Sequence, residues 1–110
     1  MMQENKLIAE FMGYHYVAET KMTHDYFMVK GRYIRPDGIK FDTDWNWLMD
    51  VVDKIEGLNF SVEINRQEER DYQCLIVKKE IIVQTFSSNK MQSIYQAVIK
   101  FIKYYEQNSN

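Results

Sequence analysis

The 110-residue chain has one cysteine, one proline and two histidines, and its four glycines stand far apart. A single thiol, Cys74, forbids an internal disulfide and every thiolate-rich zinc framework. Glycines at 13, 31, 38 and 57 cannot build a dinucleotide-binding turn or a phosphate-cradling loop, since both need glycines clustered within about six residues. An excess of charge of one sign is also missing. Fourteen Lys and Arg against sixteen Asp and Glu leave a formal charge of −2, so no whole-molecule field draws the protein to nucleic acid or an anionic membrane. The apolar runs are short: Leu75-Ile76-Val77 and Ile81-Ile82-Val83 fall far below the roughly 18 residues a membrane-spanning helix requires. The amino-terminal Met1-Met2-Gln3-Glu4-Asn5-Lys6 lacks the basic start and apolar stretch of a secretory signal, and the expectation is a cytoplasmic protein with no membrane partner.

What is present is ordinary globular material: 45% hydrophobic, 27% charged, and a high 15% aromatic, with eight tyrosines. A chain of this length makes one domain and buries roughly two-thirds of its unfolded surface. The spacing predicts a first helix over Lys6 to Met12, with Asn5 as its N-cap and Gly13 as a left-handed stop. Tyr14-His15-Tyr16-Val17 and Tyr26-Phe27-Met28-Val29 are aromatic and β-branched and read as a loose hairpin, followed by turn chemistry at Pro36-Asp37-Gly38. A second helix is expected to start after an N-cap at Thr43 and to run to Glu56, with Gly57 ending it. Leu48, Val51, Val52 and Ile55 centre its apolar arc, and Trp45, Trp47 and Met49 flank it. From Leu58 the period changes to two. Phe60, Val62 and Ile64 alternate with polar residues, then Tyr72 to Val77 and Ile81 to Phe86 are apolar at nearly every position, as strands buried on both faces would be. The last helix opens at Ser88 or Asn89 with Gln92 in capping-box position, and carries Met91, Ile94, Val98, Phe101, Ile102 and Tyr105 on one face. Its end, from Gln107 on, should fray.

Three of these segments form a set: Asn5-Lys6-Leu7-Ile8-Ala9-Glu10-Phe11-Met12-Gly13, then Trp45-Asn46-Trp47-Leu48-Met49 with Val51-Val52-Asp53-Lys54-Ile55-Glu56, then Ser88-Asn89-Lys90 through Ile94-Tyr95-Gln96-Ala97-Val98 to Phe101-Ile102-Lys103-Tyr104-Tyr105. Together they resemble a group of short uncharacterised proteins of Bacteroidetes genomes and their phages, similar to the phage ABA-sandwich domain. Asp50 stands where that group would have proline, and Tyr104-Tyr105 where it would end Trp-Tyr. The resemblance implies a helix-and-sheet sandwich and a phage or mobile-element origin, and it brings no activity with it.

The residues that could carry chemistry are few. His15 and His24 lie nine apart with no close ligand partner, so neither a zinc site nor a triad with Cys74 is expected, and Cys74 itself reads as a small buried hydrophobe. Asp42, Asp44, Asp50, Asp53 and Glu56 map to the first turn or the wet side of the second helix and read as a solvated face. The segment 30–41 is more suggestive. Lys30, Arg32, Arg35 and Lys40 interleave with Tyr33 and Phe41, the pairing of cations and stacking rings that single-stranded nucleic acid uses. Among the aromatics, Tyr26, Phe27, Trp47 and Tyr104 are the expected contributors to a protein interface.

The sequence therefore predicts an α+β fold in the order α-β-β-α-β-β-β-α, with three helices on a mainly antiparallel sheet and a three-layer α/β/α sandwich as the alternative. It predicts a protein without catalytic residues, metal or cofactor, acting through a protein partner or self-association. Nucleic-acid binding through Lys30, Arg32, Tyr33, Arg35 and Lys40 is the second reading.

Overall fold

In the computed structural model, residues 3–17, 26–29, 31–35, 38–67 and 71–108 are described. Nine elements follow in order: α1 (Gln3–Phe11), β1 (His15–Val17), β2 (Tyr26–Val29), β3 (Arg32–Ile34), α2 (Trp45–Gly57), β4 (Ser61–Gln67), β5 (Asp71–Lys78), β6 (Glu80–Ser87) and α3 (Lys90–Asn108). The fold is α+β, with the helices in the expected order. Two findings refine the strands. The segment after Gly31 forms a third short strand, and the strands make two antiparallel sheets, β1-β2-β3 and β4-β5-β6, instead of one. Gly31 takes φ +80° between β2 and β3, a conformation that strains any residue with a Cβ.

The helix ends show which local signals were decisive. Asn5 does not cap α1. The helix already includes Gln3, and Asn5 is buried inside it. Gly13 does stop α1, at φ +84°: its N–H bonds to the Glu10 carbonyl and that of Tyr14 to Ala9, the two reciprocal bonds of a Schellman ending. Lys54 of α2 adds its ammonium to the Phe11 carbonyl and lies 4.6 Å from the Phe11 ring centroid, so one cation serves the negative end of α1 and an aromatic face. Asp44, not Thr43, caps α2. Its carboxylate accepts from the Asn46 and Trp47 amides at 2.9 and 3.4 Å. Gly57 is the last helical residue, and the left-handed turn falls to Asn59 at φ 72°. At α3 Asn89 is the cap: its Oδ1 accepts from Gln92 N–H at 3.0 Å, while its own N–H goes to Ser87 Oγ. The helix runs on to Asn108, whose side-chain amide donates to the Tyr104 carbonyl.

Strand register explains the core. Across β4-β5-β6 the pairs Val62–Ile76–Val83 and Ile64–Cys74–Thr85 point one way, and Glu63–Leu75–Gln84 and Asn65–Gln73–Phe86 the other. The first set meets the helices. Cys74, Ile76, Val83 and Thr85 are buried there, against Ile94, Ala97, Val98 and Phe101 of α3 and Leu48, Val51 and Ile55 of α2. A polar lock fixes α3 on the sheet: Thr85 Oγ1 donates to the Ser93 carbonyl at 2.7 Å, and Ser93 Oγ donates to the Tyr72 carbonyl at 3.0 Å. The expectation of strands buried on both faces fails here. Burial along β5 and β6 concentrates on the side that meets α3, with α2 on β4, while α1 packs on α3 and β1; helices on both faces of this sheet, the three-layer alternative, are not adopted among the described residues.

A second buried network ties the ends of the chain together. Tyr95 hydroxyl donates to Asn5 Oδ1 at 2.8 Å, and Asn5 Nδ2 donates to Asp42 Oδ1 at 3.0 Å and to the Ile39 carbonyl at 3.5 Å. The turn Lys40–Asp44, closed by the Thr43 and Asp44 amides on the Lys40 carbonyl, delivers Asp42 to that point. Burial, and then the Asp42 and Glu4 carboxylates, push the Tyr95 hydroxyl well above its ordinary range.

Candidate interaction surfaces

The basic segment divides when folded. Arg32 and Tyr33 lie in β3, and Tyr33 is 70% exposed. Strand pairing sets it in one row with Met28 and His15, across all three strands of the small sheet. Arg35 and Lys40 are exposed beyond the strand. Phe41, the second ring of the expected stacking pair, is fully buried, with its centroid 5.2 Å from that of Trp47 in an edge-on contact. It belongs to the core and can stack on nothing outside. Lys30, His24 and the Pro36-Asp37 turn lie outside the described residues, as does the side chain of Tyr26.

The aromatics expected at an interface sort differently. Phe27 is fully buried on the inner face of β2, which removes it from any docking surface. Trp47 is half-buried and packs edge-on to Phe41 and Tyr14, covering the loop before its own helix. Tyr104 is half-buried beside Phe101, at 6.5 Å between centroids, in a cluster that also holds Phe11, Phe60 and Tyr105. A high aromatic content here serves mainly a small core, in which ring-on-ring contacts replace missing aliphatic volume. Trp45 is the more open tryptophan at 43% exposure, with Lys90 Nζ 6.0 Å from its ring.

The surface that sequence reasoning missed is the outer side of β4-β5-β6. Ile81 and Phe86 are 56% and 52% exposed there, beside half-buried Leu75 and Val77. A register shift between Ile76 and Val77 places Ile81 opposite Val77, so Ile81 joins Phe86 on the outer side although the two are an odd number of residues apart. Strict alternation would have put them on opposite faces, which is why an apolar run looked like a doubly buried strand.

Several groups with nucleophilic or acid-base chemistry are committed to structure. Cys74 is fully buried and burial pushes its thiol up to about 11, so it stays protonated at neutral pH. The buried hydroxyls of Thr85 and Ser93 are held in the α3 lock. Asp44 caps α2, Asp42 holds Asn5, and Asp50, Asp53 and Glu56 face solvent. His15 is exposed, and among the described residues no three of His, Cys, Asp and Glu converge as metal ligands. Among the described residues, open hollows of about 420 Å³ lie over Trp45, Tyr72 and Lys90 and along α3 between Glu4, Tyr95, Lys100 and Lys103. Among the described residues no helix is long and apolar enough to cross a membrane.

No family model matches this chain, and neither the curated proteins nor the solved structures contain a match.

Proposed function

We propose that this protein is a non-enzymatic accessory protein that acts through protein contacts made by the outer face of β4-β5-β6. The observation that carries this reading is the exposure of Ile81 and Phe86 beside Leu75 and Val77, an apolar stripe on a sheet whose other side is covered by helices. Exposed apolar side chains grouped on an uncovered sheet face are costly to leave in water and mark docking surfaces. A phage or mobile-element origin is supported by the resemblance in the three helices.

A photo-crosslinking residue at exposed Gln84, in the middle of this face, tests the reading against the same residue at exposed Asp53 on α2. Protein adducts from position 84 and not from position 53 are expected in cells expressing the protein. Equal labelling from both, or none from either, removes the outer face from consideration.

A second reading rests on Tyr33, 70% exposed on β3 between Arg32 and Arg35. An exposed ring with guanidinium groups near it along the chain can offer one base a stacking platform and its phosphates charge, with Arg32 reaching from the opposite face of the strand. Short single strands titrated at several salt concentrations test it: affinity should fall linearly on a log-log plot and drop on Tyr33→Ala. Lack of binding even at low salt eliminates it.

A further inference from the structure

Resting on the proposed role of the outer face, we infer that its occupant is a second copy of this chain, laid face to face with strands antiparallel. Among the described residues, the two ends of β5 carry opposite charge. At the turn between β5 and β6 stands exposed Lys79, and at the far end of β5 stands exposed Asp71. Eight residues of extended strand separate them by about 27 Å, too far for contact within one chain. A two-fold axis across the strands brings Lys79 of one copy over Asp71 of the other, twice. The same rotation lays the Ile81 end of β6 towards the Phe86 end of its mate, covering the two most exposed aliphatic and phenyl side chains of the sheet in a single step.

Three strands spaced at about 4.8 Å and about 27 Å long present a footprint of roughly 400 Å² per copy. Stable complexes of standard size bury about 800 Å² on each partner, so this dimer is weak and exchanges rapidly. On the β4 side the face is polar, with Ser61, Glu63 and Asn65 all exposed, and Glu63 on an edge strand can turn to water at the rim.

Sedimentation velocity from about 5 to 500 µM should show concentration-dependent dimerisation. Ile81→Lys with Phe86→Lys should abolish it while leaving the circular dichroism spectrum unchanged, because both side chains are more than half exposed. Lys79→Glu alone and Asp71→Lys alone should each weaken association at least threefold, and the double exchange should restore it to within twofold, since the pair can meet only between chains. A monomer at 500 µM, a dimer indifferent to the lysine pair, or a double exchange as weak as its singles overturns the inference. If the chain is monomeric and position 84 still crosslinks to another protein, the second copy is refuted while the interaction face stands; if it is monomeric and nothing crosslinks, both fall.

Discussion

Replacing Asn5 distinguishes a buried tertiary clamp from a helix cap. As an N-cap, Asn5→Ala would cost about 1 kcal/mol and Asn5→Asp nothing, because aspartate caps as well as asparagine. The structure demands more. Asn5 accepts from Tyr95 at 2.8 Å in the interior and donates to part-buried Asp42 at 3.0 Å. Two such bonds are worth about 1 kcal/mol each, and the Tyr95 hydroxyl stranded without its acceptor adds about 1 more, so Asn5→Ala should cost about 3 kcal/mol. For a domain with a total stability of about 5–15 kcal/mol that is a large fraction. Asn5→Asp should be worse at pH 7: it loses both amide protons and sets a carboxylate against Asp42. Burial and the Asp42 charge would raise the new carboxyl's folded pKa above its unfolded value. Stability is then intact below the unfolded value and lost as pH rises through the folded one, so this variant should recover on acidification. Urea unfolding followed by circular dichroism, with an unchanged m-value, measures both. An Asn5→Ala cost below about 1 kcal/mol, together with a neutral Asn5→Asp, would refute the clamp.

Lys79 occupies φ 66° in the β5-β6 turn, a conformation that strains a side chain, so Lys79→Gly should stabilise by about 0.5–1 kcal/mol in the same assay. Lys54→Met keeps the aliphatic stem but loses the charge on the Phe11 carbonyl and ring; it should destabilise by about 1 kcal/mol, with most of the effect surviving 0.5 M salt because the contact is partly buried. Alkaline titration should reveal Cys74, Tyr95 and Tyr14 together. Each has its folded pKa raised chiefly by burial, so stability is full below the unfolded values; the Cys74 share is lost as pH climbs from about 9 through about 11, and the tyrosine share from the ordinary phenol range, about 10, upward. Cys74→Ser should leave only the tyrosine share of that loss. A disulfide reagent at pH 8 should label Cys74 only as fast as the sheet opens, and immediate labelling of the folded protein would contradict its burial.

Much of the architecture is a matter of neighbours in sequence. The apolar spacing of α2 and α3, the Gly13 stop, the Asn89 start and the alternation of β4 all depend on groups within four or five residues, where bond geometry leaves little choice. Thr43 and Asp44 show the limit of that resolution, because two good caps in succession differ only in which side chain reaches the open amides.

The candidate surfaces were partly legible. Tyr33, Arg32, Arg35 and Lys40 are exposed as a basic-aromatic segment suggests, whereas Phe27 and Phe41 are interior, since ring type alone does not say which way a strand faces. Amphipathic periodicity, the Gly13 stop and the Asn89 cap were therefore settled by the chain itself. The role of Asn5, joined to a tyrosine 90 residues away, was decided only by tertiary structure. So were the pairing of β3, the separation into two sheets and the open side of β4-β5-β6. Each depends on distant segments meeting, and a register shift of one residue is enough to turn Ile81 from core to surface.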